Sequence, residues 1–218
     1  MTPLVIAIDG PAASGKSSVS RGLAERLGFG YINSGAMYRA ITWYVLLKGA
    51  NPDDASQVEL VVQNAQVETG FESGHSFIMI DRMRPIEELR GESINRYVSA
   101  ISTVPAVRDL LVHEFRKLAT QGGRVVVEGR DIGSVVFPDT PFKFYLDAPQ
   151  NVRQLRRSAQ GQQDEIATRD RIDSSRHTAP LVIARDARVI DTGALDLEEV
   201  INAIFSQIQE LRGAASAP

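Results

Sequence analysis

Eight residues near the N-terminus, Gly10, Pro11, Ala12, Ala13, Ser14, Gly15, Lys16 and Ser17, fit the pattern G-x-x-x-x-G-K-[ST] at every position. The chemistry that uses this pattern is the grip on a nucleotide's phosphates. Backbone N–H groups from Ala13 to Ser17 can wrap a β-phosphate, Lys16 can reach the β/γ oxygens, and Ser17 can offer its hydroxyl to Mg2+. A helix starting at Lys16 would add its positive end. From average residue frequencies, a chance match in a chain of this length is about 1%. An anion-binding loop without further chemistry is the alternative.

A second constellation lies in VVVEGRDIGS, residues 125 to 134. Val125 to Val127 are β-branched and lack polar alternation, as expected of a strand covered on both faces of a parallel sheet. Ligands of such sheets bind beyond the carboxyl ends of the strands, so Glu128, Arg130 and Asp131 stand where chemistry is expected. A salt-bridged turn would give the same pattern.

The elements that must position these groups follow from periodicity. Leu4 to Ile8 read as a buried strand, and Lys16 to Leu27 as a helix with Val19, Leu23 and Leu27 on one face. A second apolar helix lies in AMYRAITWYVLLKG and closes at Gly49. Two β-rich runs around Ser73-Gly74-His75 predict a hairpin, within an insertion at about residues 61–97. Pro105 opens a helix that ends at Gly122-Gly123, with Val107, Leu111, Phe115 and Leu118 as its apolar stripe. Residues 142–147 and 188–192 read as strands, and Asp196 with Glu199 forms a capping box for a last helix. The arginine-rich stretch from Asn151 to His177 reads as an exposed, mobile cover, and Gly213 to Pro218 as unstructured.

The whole chain sets limits. Its 218 residues suffice for one sizeable core with a small appended domain, and 43% apolar with 23% charged residues is ordinary for a soluble enzyme. A net charge of −3 argues against nucleic-acid coating or membrane-surface binding. The absence of cysteine removes disulfides, thiolate zinc sites and a cysteine nucleophile. The three scattered histidines make a metal cage unexpected. The N-terminus has no basic segment before its apolar run, so a cytoplasmic protein is expected. Of the 24 cations 20 are Arg, and eight of these fall between Arg153 and Arg188, a local excess that suits a phosphate-rich ligand.

These features point to a small kinase. No N-K-x-D guanine motif is present, and the chain is short for a motor ATPase. A kinase acting on a hydroxyl profits from a carboxylate base. One acting on a phosphate does not, because the acceptor, with a second pKa of about 6, is already mostly dianionic at pH 7. What it needs is arginines to offset repulsion between two polyphosphates. Arg39, Arg130, Arg169 and Arg176, on separate loops, could converge there.

DGPAASGKSS, NSGAMYRA, EGRDIGSVVFPD and RDRIDSSRHTAPL occur in that order, and with them the chain, from Ile6 to about Thr192, resembles the bacterial cytidylate kinases of the (d)CMP kinase family. The resemblance implies an α/β fold: a three-layer P-loop kinase core with a parallel sheet, a small inserted NMP-binding domain and a short helical lid. The core would comprise residues 1–60 and 98–218, with the lid at about 153–178 and the CMP-binding insert at 61–97. Gly10 to Ser18, including Ser18 itself, would bind ATP. Ser34, Arg39, Ser99, Arg108, Arg130, Asp131, Arg169, Asp173 and Arg176 would meet CMP. Within that set Ser99 and Arg108 would read the base, Arg130 would hold the phosphate and Asp131 the cytosine. Arg169 and Asp173 would meet the sugar, and Arg176 would clamp phosphate between donor and acceptor. Lys16, Arg130 and Arg176 would be the catalytic cations, and Mg2+ would be held by Ser17, with Glu128 behind it. Tyr38 could be packing or ligand. The expected partners are ATP and CMP or dCMP, with no nucleic acid and no membrane, for a monomer. A UMP or AMP kinase is the alternative enzyme, and a nucleotide-binding module without catalysis is the alternative of another class.

Overall fold

The computed structural model describes residues 3–159, 170–171 and 181–215. Its central strand is β1 (Leu4–Asp9), and neighbouring residues on it serve different cores: Val5 and Ala7 belong to one cluster, Ile6 and Ile8 to the other. A strand apolar on both sides must be covered on both sides, which parallel sheets achieve through helical crossovers. β1 runs parallel to β5 (Arg124–Gly129), in register from Leu4 with Arg124 to Asp9 with Gly129. On its other side it pairs in parallel with β6 (Phe142–Asp147), ending with Asp9 opposite Tyr145. β2 (Gly30–Asn33) joins β5, and β7 (Arg188–Asp191) joins β6, both parallel. The predicted hairpin is β3 (Val67–Glu72) and β4 (His75–Ile80), turning at Ser73 and Gly74, both with positive φ. It extends the same sheet: β4 meets β2 in parallel at Tyr31 and His75, while β3 runs antiparallel to β4. The order is β3-β4-β2-β5-β1-β6-β7.

Helices cover both faces. On one lie α1 (Lys16–Leu27) and α7 (Leu197–Ala215), which pack Val19, Leu23, Ile201 and Ile204 against Ile6, Ile8 and Phe144. On the other lie α2 (Ser34–Leu47), α3 (Ala55–Gln63), α4 (Glu92–Ile101) and α5 (Pro105–Gly122). The α5 stripe of Val107, Leu111, Phe115 and Leu118 is fully buried there, as its spacing predicts. Each of the larger of these side chains stabilises the fold by about 1.5–3 kcal/mol. α6 (Gln150–Ala159) follows β6. Residues 61–97 hold the end of α3, the hairpin, a 3-10 turn at Glu87–Arg90 and the start of α4. Sequence periodicity did not signal α3 or α4: α3 is short and buries only Val58 and Val62.

The capping box forms, with the Asp196 N–H donating to Glu199 Oε2 at 2.8 Å and the Glu199 N–H to Asp196 Oδ1 at 2.9 Å. The helix it starts runs through Ala215, three residues into the stretch expected to be unstructured. Alanine is the best helix former, and extending an anchored helix gains a hydrogen bond for each residue fixed. Among the described residues no helix is long and apolar enough to cross a membrane.

Candidate active site

β1, β2 and β5 end level with one another, because Asp9 is in register with Gly129 and Asn33 with Glu128. The glycine-rich loop leaves β1 at this edge. Gly10 has φ +148°, and a Cβ there would lie 2.1 Å from the Leu146 carbonyl oxygen, so only glycine lets the loop pass the end of β6. Gly15, at φ +92°, caps α1 without any side chain, and no acidic residue occupies the first turn. The N–H groups of the first turn and the positive helix end are therefore directed into the loop with no capping side chain from Gly15 between. Lys16 is buried and folded back, its Nζ donating to the Pro11 carbonyl at 2.5 Å and lying 3.4 Å from Ser14 Oγ.

Outside residues pin the loop. Thr192 Oγ1 donates to the Ser14 carbonyl at 2.9 Å, and Arg156 Nη2 holds the Thr192 carbonyl at 2.6 Å. Arg153 Nη1 donates to the Ala12 carbonyl at 3.1 Å and to Asp170 Oδ2 at 2.5 Å, while Asp170 Oδ1 accepts from the Ala12 N–H at 3.2 Å. The expected exposed cover therefore begins with a buried arginine. The reason is that its guanidinium has carbonyls to satisfy, those of Ala12 and Ala148.

Glu128 collects the other half of the phosphate end. Ser17 Oγ donates to Glu128 Oε2 at 2.8 Å, and the buried Tyr31 hydroxyl donates to Oε1. Burial, helped by the Glu128 charge, pushes the Tyr31 phenol far above its ordinary range, so it remains a donor. Ser34 Oγ donates to the Glu128 backbone carbonyl at 2.6 Å. No cluster of three or more metal-ligating side chains exists among the described residues. One hydroxyl with a carboxylate behind it suits Mg2+, which keeps waters and takes phosphate oxygens, better than a protein-enclosed ion.

At the acceptor end, Arg130 Nη1 reaches the Gly10 carbonyl at 3.2 Å. Asp131 pairs with Arg108 of α5, and both are about 4% exposed, so this is a buried ion pair. Arg108 Nη1 is buried and has no hydrogen-bond partner among the described residues, an unmet donor beside the cleft. Ser99 is buried at the end of α4, its carbonyl accepting from Ser102 Oγ at 2.8 Å. Arg39 Nη1 donates to Asn95 Oδ1 at 2.6 Å and to the Leu89 carbonyl at 3.1 Å, tying α2 to α4 and the 3-10 turn.

One cleft of about 720 Å³ joins the two ends. From the phosphate loop it is lined by Ala12, Ala13, Lys16, Ser17 and Ser18, and opposite by Ser34, Arg39, Ser99, Glu128, Arg130 and Asp131. Gly10, Pro11, Ser14 and Gly15 shape the loop without lining the cleft, and Arg108 stands behind Asp131. Arg169, Asp173 and Arg176 lie outside the described residues. Sequence reasoning missed three further cations on the lining, Arg21, Arg90 and Arg157. The signal for Arg21 was present: it stands four residues after Ser17, one helical turn along. Arg90 carried no motif, and its place depends on the turn that precedes α4. Asp9 and Tyr31 were also missed: the first strand was read only to Ile8, and the short strand that carries Tyr31 was not signalled by periodicity at all.

A glycine-rich phosphate loop after the central strand of a mostly parallel sheet, with a carboxylate on the neighbouring strand end, defines a P-loop kinase. A family model described as cytidylate kinase matches residues 6–210. The cytidylate kinase of Rhodococcus opacus is 42% identical over 96% of this chain and 96% of its own. That of Mycobacterium leprae is 42% identical over 98% of this chain and 99% of its own. The chain belongs to the cytidylate kinase family. Among solved structures, shikimate kinase from Acinetobacter baumannii in complex with shikimate aligns with 96% of this chain and 94% of its own, at 16% identity and a TM-score of 0.47.

Proposed function

We propose that the protein transfers the γ-phosphoryl group of MgATP to CMP or dCMP, giving CDP or dCDP. The observation that carries this reading is the continuous cleft in which Lys16 and Ser17 face Arg130 and Asp131, with Arg108 paired to Asp131 from behind. The phosphate loop, Gly10 to Ser18, holds the donor, and Lys16 exchanges the Pro11 carbonyl for β/γ oxygens. Ser17 supplies the hydroxyl for Mg2+ and Glu128 holds that hydroxyl's proton. A Mg2+ held there would supply positive charge to offset the charge that builds on the phosphates during transfer.

Arg39 and Arg130 take the acceptor phosphate, which is its own nucleophile near pH 7 and needs no protein base. Asp131 accepts from the cytosine 4-amino group, and Arg108 donates to N3 through Nη1, which has no hydrogen-bond partner among the described residues. Ser34 and Ser99 line the same subsite, and residues 61–97 serve as the acceptor-binding insert. From the lid, Arg169 and Asp173 meet the sugar and Arg176 spans the two phosphates. We further propose that the protein acts in the cytoplasm as a monomer.

A coupled assay of ATP consumption with CMP, dCMP, UMP, AMP and shikimate, each alone, tests the reading. Turnover should be highest with CMP or dCMP. Preference for UMP or AMP would replace the substrate assignment, and no consumption with any acceptor would make the chain a binding module.

A further inference from the structure

Asp9 has no part in the chemistry described above. It ends β1, is 5% exposed, and spends both carboxylate oxygens on backbone: Oδ1 accepts from the Ile132 N–H at 2.8 Å and Oδ2 from the Gly133 N–H at 2.7 Å. A carboxylate is costly to bury unless hydrogen bonds or a counter-charge compensate it, and these two N–H groups are what Asp9 is given. They are the first two N–H groups of a short π-helical turn, Ile132–Val136, which has no side-chain cap of its own.

That turn begins immediately after Asp131. The Asp131 carbonyl accepts from the Val135 and Val136 N–H groups at 2.9 and 3.1 Å, so the turn dictates the course of the Asp131 backbone. On the other side of the Arg130-Asp131 pair, Gly129 is the register partner of Asp9 in β5. One residue therefore grips the chain on both sides: its backbone meets Gly129, and its side chain meets Ile132 and Gly133. The approach is close. A Cβ on Gly133 would lie 3.4 Å from Asp9 Oδ2 and 3.1 Å from Lys143 Cγ.

We infer that Asp9 is a positioning residue for acceptor selectivity, aiming Asp131 at the base by clamping the turn that follows it. The inference rests on the reading of Asp131 as the group that reads cytosine. Asp9 thereby joins the donor loop, which starts at the next residue, to the acceptor pocket through a single side chain.

The test is Asp9→Asn, which keeps the shape but leaves an amide N–H2 opposing one of the two N–H groups. The measured quantities are kcat and KM for CMP and UMP, together with ATP affinity. The expected result is a CMP-over-UMP ratio of kcat/KM that narrows by about tenfold, the discrimination typical of one displaced base contact. KM for CMP should rise by more than kcat falls, and ATP affinity should stay within about twofold. If the variant does not fold, Gly133→Ala, whose methyl presses on the Lys143 stem and touches the same carboxylate, shifts the turn from its other side and should narrow the ratio likewise. An unchanged ratio in whichever of these variants folds overturns the inference, as does a loss confined to ATP affinity, which would make Asp9 a support of the phosphate loop alone. A wild-type enzyme that does not separate CMP from UMP would instead sink the substrate assignment.

Discussion

Ser17 Oγ lies 2.8 Å from Glu128 Oε2 and donates to it, which commits the hydroxyl proton and leaves the oxygen's lone pairs to the cleft. A metal ligand is more effective when its proton is already held elsewhere, and the Tyr31 hydroxyl keeps the carboxylate in place from its other oxygen. Glu128→Gln should therefore raise the Mg2+ concentration for half-maximal turnover by about tenfold or more. Tyr31→Phe should move it in the same direction by less. Titration with Mg2+ at saturating ATP measures both, and an unchanged midpoint in Glu128→Gln would remove the carboxylate from the metal site.

Lys16 is buried, and its ammonium reaches into the loop around it, to the Pro11 carbonyl and Ser14 Oγ. Lys16→Met should abolish transfer while leaving the fold intact, because the charge serves the transition state. Circular dichroism alongside turnover checks it: near-wild-type rates in a folded variant would refute the loop's catalytic role.

Arg130 and Asp131 are neighbours with different tasks. Asp131→Asn should narrow the CMP-over-UMP ratio by about ten- to a hundredfold, since the amide can serve uracil as well as cytosine. It also leaves the buried Arg108 charge uncompensated, so some stability is lost for both substrates alike. Arg130→Ala should weaken CMP and UMP equally, because both bring the same phosphate. Kinetics with the two acceptors decide, and a ratio that changes only in Arg130→Ala would reverse the assignments.

The Asp9 carboxyl is pushed up to about 6, chiefly by burial and in lesser part by the nearby Asp131 charge, against its two N–H bonds and Lys16, which pull it down. Since the native pKa lies above the unfolded value of 3.8, the native protein binds this proton more tightly. Its stabilising contribution is complete below pH 3.8 and is lost as pH rises through 6, about 3 kcal/mol in all. Urea unfolding of wild type and Asp9→Asn at several pH values isolates it. Wild type minus variant should be larger near pH 4 than near pH 8, and a pH-independent difference would contradict the burial argument.

What was legible in the sequence was local. The phosphate loop, the Pro105 helix with its buried stripe and the hairpin at Ser73-Gly74 each depend on residues within a few positions of one another, and all are present. The pairing of Arg108 with Asp131 joins groups 23 residues apart, and Asp9 meets Ile132 across 123. No period or motif encodes such contacts. Tyr31 shows the same limit from another direction: an aromatic in a strand reads as core, and it is core, but its hydroxyl end faces a carboxylate 97 residues away. Thr192 read as the end of a strand, and only the packed fold brings its hydroxyl to the Ser14 carbonyl.

The two-sided pairing of β1 also bears on how the molecule opens. From Ile6 to Ile8 it lies between β5 and β6, with fully buried side chains above and below, so solvent deuterium should reach these amides only when the whole sheet comes apart. The nucleotide cradle begins one residue beyond this strand, at Gly10. Opening of the loop during turnover and global unfolding should thereby be separable by exchange, since the loop is rooted in a strand expected to take up label late.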